Sequence, residues 1–203
     1  MTAEDEWLEG WDPTPGIVSV WADGDGLVHV WRRAGGELRH ETARFRPWVL
    51  VDRIEDPPKG ATWRELGGDG ALRFLVRGDD LRALERLATR ATTSLVLAPE
   101  EQYLVASGRT YFKDLPFEAL RRMQIDLETT GLDPQRDRIF LIAVRTPDGE
   151  TTTLENDSEA ALVRDLVELV SSCDPDVIEN HNLHGFDLPF LDRRAKLLGV
   201  PLA

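Results

Sequence analysis

The chain has 203 residues, which is enough for one or two domains of ordinary size and excludes a disulfide-stapled miniprotein. Its 41% hydrophobic and 30% charged residues are typical of a globular protein and not of a disordered one. The longest unbroken apolar run, residues 139–144, is far shorter than the roughly 20 residues of a membrane-spanning helix, so no membrane partner is expected. The single cysteine, Cys173, excludes an internal disulfide and a multi-cysteine zinc site.

The formal net charge is -13. A chain this acidic lacks the large lysine and arginine surface whose counterion release drives most nucleic-acid binding. If the protein acts on DNA or RNA, divalent cations held by clustered carboxylates can supply the missing positive charge. The acidic start of the chain lacks the basic end and apolar stretch of a secretory signal, which predicts a protein that stays inside the cell.

The first part of the chain has short strand patterns joined by turns rich in aspartate and glycine, as in a small barrel or sandwich. Strands are predicted at residues 17–21, 27–31, 37–45 and 48–51. All six tryptophans lie within the first 63 residues, where large aromatic side chains are expected to fill a small β core. This uneven distribution of tryptophan predicts two structural units.

A β-α-β pattern follows a stretch rich in proline and glycine, residues 57–70, which is predicted to be a loop. Residues 72–76 and 94–97 have strand patterns, and Asp79 is placed to cap a helix between them that has leucines on one face. We assign this pattern to the first unit and expect a mostly β domain over residues 1–115.

A second pattern begins near residue 121. The predicted elements are strands at residues 123–127, 139–145, 151–154 and 177–179, a helix capped by Ser158, and a last helix over residues 188–198. The order β-β-β-α-β-α predicts a mixed sheet covered by helices, as at the start of a ribonuclease-H-like fold. We therefore predict an α/β protein in which the β-rich domain precedes a ribonuclease-H-like domain over residues 116–203.

Two carboxylates share one face of the predicted strand at residues 123–127. Residues i and i+2 of a strand face the same way, so Asp126 and Glu128 project together near the turn at Gly131. Mg²⁺ and Mn²⁺ prefer oxygen ligands, and two such ions about 4 Å apart can activate a water and stabilise the leaving oxygen of a phosphodiester. An isolated Asp-x-Glu is far more often the polar face of a half-exposed strand.

A third carboxylate, Asp187, stands at the start of the last predicted helix. Its simplest interpretation is an ordinary helix cap. His181 and His184 have the spacing of a helical metal pair, but Gly185 and the preceding strand disfavour a helix there. Both histidines are therefore predicted to be loop residues and not zinc ligands.

Together these motifs resemble one known family. Asp126-x-Glu128 followed by Asn182-x-x-x-Phe186-Asp187 is similar to the first and second exonuclease motifs of family B DNA polymerases, in their 3′→5′ proofreading domain. Stand-alone proofreading subunits usually have one residue fewer between the asparagine and the phenylalanine. Residues 45–48, 108–113 and 122–124 are similar to the polymerase N-terminal domain and its junction, so the resemblance covers nearly the whole chain.

The resemblance implies a role for each motif residue. The catalytic groups and the ligands of two Mg²⁺ or Mn²⁺ ions would be Asp126, Glu128 and Asp187, with Asp126 bridging both ions. Asn182 and Phe186 would hold the 3′-terminal nucleotide through a hydrogen bond and a stacked ring, and Thr129 would contact it through its backbone. The implied substrate is DNA, at the 3′ end of a single strand or a frayed primer.

The sequence departs from the family pattern after Asp187. The third exonuclease motif, Tyr-x-x-x-Asp, is missing because both tyrosines precede Asp126, and the only later carboxylate, Asp192, is rotated about 140° from Asp187 on a helix. The polymerase palm is also absent. We therefore predict an incomplete exonuclease domain from the N-terminal part of a longer bacterial or archaeal polymerase. It would be nearly inactive alone, act with the remainder of the polymerase in cis, and lie in the cytoplasm with the nucleoid.

Two other interpretations remain open at this stage. One is a stand-alone DnaQ-like exonuclease or ribonuclease with an unrelated N-terminal domain, although the spacing from asparagine to aspartate disfavours it. The other is a non-catalytic module whose tryptophans stack the bases of single-stranded nucleic acid. Core packing of the tryptophans and the net charge both disfavour this second alternative.

Overall fold

A computed structural model describes residues 10–202. The predictions that concern residues 1–9, including Trp7, lie outside the described residues. The chain divides into two compact units, one ending at Leu115 and the other beginning at Pro116. Within residues 10–202, no helix is both long and apolar enough to cross a membrane.

The first sheet of the N-terminal unit contains three antiparallel strands in the order β1-β2-β3. They span Ile17–Ala22, Leu27–Ala34 and Glu37–Arg44, which confirms three of the predicted strands. Alternate residues of β1 and β2 are aliphatic, so one face of the sheet is buried. With Tyr103 this face forms a small core made of Ile17, Val20, Ala22, Val28 and Val30.

The second sheet of this unit has the strand order β5-β6-β4-β7. Its elements in chain order are β4 (Trp48–Val51), β5 (Thr62–Glu65), β6 (Phe74–Arg77), α1 (Leu81–Ala88), β7 (Ser94–Leu95) and α2 (Pro99–Ser107). Leucines of α1 pack on the valines of β4 and β6. Because β4 lies between β6 and β7, the predicted β-α-β unit is a split one.

Two local predictions in this unit are wrong. The predicted loop at residues 57–70 contains β5, whose residues are all exposed and therefore give no apolar alternation in the sequence. Helix α1 is capped by Asp80, whose side chain accepts a hydrogen bond of 2.8 Å from the Arg82 amide. Asp79, the predicted cap, instead forms an ion pair with Arg46.

The tryptophans do not fill the core as predicted. Of the five in the described part of the chain, only Trp48 is fully buried, with 2% of its surface exposed. Trp11, Trp21 and Trp63 are exposed by 79%, 51% and 51%. Aliphatic side chains are enough to fill the small core under β1 and β2, and strand alternation turns Trp21 to the other face of the sheet.

A buried glutamine links α2 to β4. The Gln102 side chain is fully buried, and its Oε1 accepts a 2.8 Å hydrogen bond from the Trp48 amide. Its Nε2 donates to the carbonyl oxygen of Leu97 at 2.8 Å, and its backbone oxygen accepts from the Trp48 indole at 3.1 Å. Both ends of the side-chain amide therefore have partners, which is the condition for burying it.

The C-terminal unit is a mixed sheet in the order β10-β9-β8-β11 with two helices. Its elements are β8 (Arg122–Thr129), β9 (Ile139–Arg145), β10 (Thr151–Leu154), α3 (Glu159–Cys173), β11 (Val177–Glu179) and α4 (Leu188–Leu198). All the strands and helices predicted for this unit are confirmed, including Ser158 as the cap of α3. Strand β8 is antiparallel to β9 and parallel to β11.

Helices α3 and α4 cover one face of this sheet. Buried residues of β8 and β9 pack there against Leu162, Leu166 and Phe190 of the helices. The other face is open and carries polar residues of β8, β9 and β10. The predicted fold class is confirmed: the protein is α/β, with a β-rich part followed by a ribonuclease-H-like sheet and its helices.

The Gln102→Ala variant is expected to lower the free energy of unfolding by about 2–4 kcal/mol, because the Trp48 amide and the Leu97 carbonyl would lose buried partners. Urea denaturation monitored by circular dichroism measures the change. Val105→Ala, at an exposed position of the same helix, serves as the control and should stay within about 0.5 kcal/mol of the parent chain. Equal stability of the two variants would contradict the assigned role of Gln102.

Candidate active site

The two carboxylates of the first motif project from β8 as predicted. Asp126 and Glu128 are exposed. Ile125, which precedes them, and Leu127, which lies between them, are buried with 2% and 6% exposure. The alternation therefore places both acids on the open face of the sheet. The pairing of β8 with β9 becomes irregular between Glu128 and Thr129, directly after the second acid.

Asp187 lies next to β8, at the part of this strand that β11 leaves unpaired. Strand β11 pairs with β8 only as far as Gln124, so β11 provides no acceptor for the amide of Leu127. The Oδ1 atom of Asp187 accepts a hydrogen bond from this amide at 3.3 Å, and Asp187 itself is only 3% exposed. Its side chain makes no capping bond to α4, so the interpretation of Asp187 as an ordinary helix cap is wrong.

A single turn of π-helix, Leu183–Asp187, leads into α4. The Leu188 amide donates to the carbonyl oxygen of Leu183, five residues earlier, which is the π-type bond. Asn182 begins the turn in the left-handed conformation with φ 60°, and a Cβ atom on Gly185 would lie 2.1 Å from its Oδ1. His184 lies within this turn, so it is not the loop residue that the sequence predicted.

A residue that the sequence did not identify contacts Asp126. The side chain of Asn180 donates a hydrogen bond of 3.0 Å to Asp126 Oδ1 and accepts one of 2.7 Å from the His181 amide. Asn180 comes directly after β11, which is parallel to β8, so it reaches the end of β8 that carries the acids. The available signal was the position of Asn180 in the sequence, two residues before Asn182, the first residue of the second motif.

The three predicted metal ligands differ in how the structure arranges them. Asp126 and Glu128 lie on the open face, whereas Asp187 is buried against the main chain between them. Within residues 10–202, no three histidine, cysteine, aspartate or glutamate side chains lie close enough together to form a metal-binding group. The donor chemistry fits Mg²⁺ or Mn²⁺, since all three ligands are carboxylates, but their convergence on the ions stays a prediction.

Of the predicted substrate-binding residues, Thr129 ends β8, while Asn182 and Phe186 belong to the π-helical turn and its cap. Asn182 is exposed, and Phe186 is half-buried with its ring centroid 5.2 Å from that of Phe190. Thr129 is half-buried, and its hydroxyl donates to the carbonyl oxygen of Gly131 at 2.8 Å. Their contacts with a nucleotide stay predictions.

An open basin of about 730 Å³ lies on the uncovered face of the sheet beside Asp126. Its polar lining includes Gln124, Asp126, Arg145, Thr153, Glu179 and Asn180. Arg145 provides a positive charge in this lining, which suits a phosphate group. The basin therefore offers a polar surface next to the first motif that is large enough for a nucleotide-sized ligand.

The loop between β8 and β9 folds around one carboxylate. Asp137 accepts a hydrogen bond of 2.9 Å from the Asp133 amide and one of 3.4 Å from the Thr130 hydroxyl. A Cβ atom on Gly131 would lie 2.4 Å from Asp137 Oδ2, so a side chain at position 131 would displace the Asp137 carboxylate from this position. The sharp turn after the two acids thus depends on Gly131 and Asp137 together.

A buried ion pair ties this loop to both helices. Arg194 of α4 donates two hydrogen bonds to Glu159 at the start of α3, one of them 2.8 Å long, and a third of 3.1 Å to the carbonyl oxygen of Pro134. Glu159 also accepts a 2.9 Å bond from the Ile139 amide at the start of β9. The Arg194 side chain is only 13% exposed and the Glu159 side chain only 8%, so the ion pair is largely shielded from water.

The ion pair also determines the protonation of Glu159. Burial by itself would raise the pKa of Glu159, but the hydrogen bonds from Arg194 and the Ile139 amide outweigh it and hold the pKa below its usual value. The bond to Glu159 in turn raises the pKa of Arg194. Both groups are therefore charged at neutral pH, and their interaction stabilises the folded state there.

The sheet order and its covering helices define the class of fold of the C-terminal unit, which is ribonuclease-H-like. Residues 123–202 match the model of a known family, the DNA polymerase family B exonuclease domain. The predicted resemblance to the exonuclease region of family B DNA polymerases is therefore confirmed.

Two curated relatives and one solved structure are similar to this chain. DNA polymerase 2 of Aeropyrum pernix is 35% identical over 105 residues, which are 49% of this chain and 13% of that protein. The DNA polymerase of Archaeoglobus fulgidus is 35% identical over 92 residues, which are 43% of this chain and 12% of that protein. The family B DNA polymerase of Pyrobaculum calidifontis has a similar fold, with a TM-score of 0.63 and 23% identity over 91% of this chain and 32% of that one. The chain thus spans a small part of the length of its relatives.

The Arg194→Met variant is expected to lower the free energy of unfolding by roughly 3 kcal/mol at neutral pH, because it leaves Glu159 charged, buried and without its main partner. Lys196→Ala serves as the control, since it removes an exposed ion pair with Asp192 on the same helix and should change stability by less than about 1 kcal/mol.

The contribution of this pair should also depend on pH. Because the pKa of folded Glu159 is lowered, the stabilisation is present above its ordinary pKa and is lost as the pH falls through the lowered value. The difference in unfolding free energy between the parent chain and Glu159→Gln should therefore shrink in acid. A difference that grows as the pH falls would contradict this assignment.

Proposed function

We propose that the chain carries the first two motifs of a metal-dependent 3′→5′ exonuclease site that removes nucleotides from the 3′ end of DNA. The proposed substrate is a single strand or a frayed primer end, and the proposed context is proofreading within a family B DNA polymerase, with the rest of that polymerase in cis. The match of residues 123–202 to the family's exonuclease domain supports this proposal.

The observation that carries the proposal is the hydrogen bond between Asp187 and the Leu127 amide. Leu127 lies between Asp126 and Glu128 on β8, so this bond holds the carboxylate of the second motif against the middle of the first motif. The two residues that this bond joins are 60 positions apart in the chain. Their meeting is what a shared site requires.

We expect Asp126, Glu128 and Asp187 to hold two Mg²⁺ or Mn²⁺ ions, because carboxylate oxygens are the ligands that these ions prefer. When bound, two such ions can activate a water and stabilise the leaving oxygen of a phosphodiester. Asn180 engages one oxygen of Asp126 and so restricts the rotation of that carboxylate. The other oxygen of Asp126 is then held in an orientation in which it can bind a metal ion.

The remaining motif residues would bind the end of the strand. The Asn182 amide can hydrogen-bond to the terminal nucleotide, and the ring of Phe186 can stack on its base. Thr129 would contact the nucleotide through its backbone, close to the irregular pairing after Glu128. A stand-alone DnaQ-like exonuclease or ribonuclease is the weaker candidate, because the matched family model is that of the family B exonuclease domain.

Mn²⁺ binding tests the metal assignment without measuring activity. In isothermal titration calorimetry on the purified chain, Glu128→Gln and Asp187→Asn should each weaken binding by about tenfold or more, because each removes a charged ligand. Asn at position 187 can still accept the hydrogen bond from Leu127, so the fold of the turn should be kept.

The matched control for this titration is Asp192→Asn. Asp192 is a carboxylate on α4 whose side chain is 51% exposed and paired with Lys196. Its replacement should leave Mn²⁺ binding unchanged. Equal weakening by Asp192→Asn would mean that the ions bind to general surface charge, and unchanged binding by Glu128→Gln and Asp187→Asn would refute the site.

Activity is tested in the protein as its gene encodes it. Asp126→Ala should slow the Mg²⁺-dependent release of nucleotides from 3′-labelled single-stranded DNA by roughly 100-fold or more, since one of the carboxylates that would hold the ions is lost. Any primer extension by the same protein should be retained. Release of nucleotides at the parent rate would contradict the assignment of Asp126.

A further inference from the structure

Two of the four histidines of the chain meet on the exposed face of the first sheet. His29 lies on β2 and His40 on β3, and the proposed exonuclease site uses neither of them. Strand alternation turns both away from the aliphatic core, onto the face that also carries Trp21, opposite His29, and Trp31, opposite His40. We call His29 and His40 the histidine pair.

The imidazole rings of the histidine pair present nitrogen atoms to each other. Nδ1 of His29 and Nε2 of His40 are 2.9 Å apart, and the two ring planes are parallel to within 3°. The Trp31 ring lies against both imidazoles, with centroid distances of 4.9 Å to His40 and 5.9 Å to His29. Because His40 is exposed and His29 half-buried, the pair can be reached from solvent.

The surroundings of the histidine pair differ from those of the carboxylates on β8. The described strand positions on this face of β1, β2 and β3 carry no aspartate or glutamate. Hard ions such as Mg²⁺ and Mn²⁺ prefer oxygen ligands and therefore find no charged ligand at these positions. Neutral imidazole nitrogen is instead a good ligand for Cu²⁺, Ni²⁺ and Zn²⁺.

The separation of the two nitrogens fits one coordination geometry better than another. Two nitrogens that lie about 2.0–2.1 Å from one ion and about 90° apart, as in tetragonal Cu²⁺ sites, are separated by about 2.8–3.0 Å. At the tetrahedral angle preferred by structural Zn²⁺ sites, the separation is about 3.3–3.4 Å. The observed separation of 2.9 Å matches the tetragonal geometry.

We propose that His29 and His40 form a chelating site for a divalent transition-metal ion, with Cu²⁺ bound more tightly than Zn²⁺. The ion takes the place of the proton in the bond between the rings. The ring that donates this proton moves it to its other nitrogen, and both rings turn so that their electron pairs meet at the ion on the solvent side. Water fills the remaining coordination positions. This site is independent of the proposed exonuclease site.

A bound ion links the edge strand of the sheet to its neighbour. Among the described strands, β3 pairs only with β2, and most of its residues are exposed. The turn between the two strands contains Gly35 and Gly36, both with positive φ. Because the ion needs His29 and His40 side by side, it binds the paired hairpin and not the separated strands, and so stabilises the hairpin by mass action.

Titration of Cu²⁺ into the purified chain, followed by tryptophan fluorescence and electron paramagnetic resonance, tests the proposal. Binding should quench fluorescence, because Trp31 and Trp21 lie next to the two imidazoles. The resonance spectrum should show splitting from two nitrogens. His29→Gln and His40→Gln should each weaken binding by roughly 100-fold or more, because two linked ligands together bind about 10²- to 10⁴-fold more tightly than either one alone.

The matched control is His184→Gln, which replaces an exposed histidine of the other unit and should leave Cu²⁺ affinity equal to that of the parent chain. Carboxylate ligands give no nitrogen splitting, so the spectrum separates this site from the proposed exonuclease site. Thermal unfolding of each variant checks that the sheet is retained. An equal loss of affinity in His184→Gln, tighter binding of Zn²⁺ than of Cu²⁺, or a parent spectrum without two nitrogen ligands would each overturn the proposal.

Discussion

A main-chain amide that lacks a strand partner organises the C-terminal unit. Strand β11 ends at Glu179 while β8 continues to Thr129, and the buried amide of Leu127 needs an acceptor because an unpaired buried donor is costly. Asp187 supplies that acceptor through its side chain. The direction of α4, which begins at the next residue, therefore follows from a requirement of the sheet, and the same contact brings the two motifs together.

Most of the C-terminal unit could be predicted from sequence because its signals are local. The alternation of Ile125 and Leu127 with Asp126 and Glu128 fixes which side of β8 faces the core, and Ser158 and Gly199 mark helix ends through their own backbone and side-chain preferences. The bond from Asp187 to Leu127 and the ion pair from Glu159 to Arg194 join residues far apart in the chain. The periodic pattern of hydrophobic residues in a sequence does not reveal contacts between such distant residues.

The N-terminal unit shows where pattern reasoning fails. Strand β5 has no apolar face, so the turn residues around it dominated the sequence signal. The tryptophans were predicted to lie inside because large aromatic groups usually fill small cores, yet Trp21 shares its strand with Val20 and Ala22, which already occupy the inner face. Strand alternation overrides the average preference of the residue type.

The π-helical turn has a consequence for how insertions are tolerated. An α-helical turn closes with a bond to the residue four positions earlier, and a π turn with a bond to the residue five positions earlier, so Leu183–Asp187 accommodates one extra residue without changing the direction of α4. The longer spacing between Asn182 and Phe186 therefore lies in the turn itself, and Asp187 still reaches β8. A chain with one residue fewer at this point would have to close an α-helical turn to keep the carboxylate in the same place.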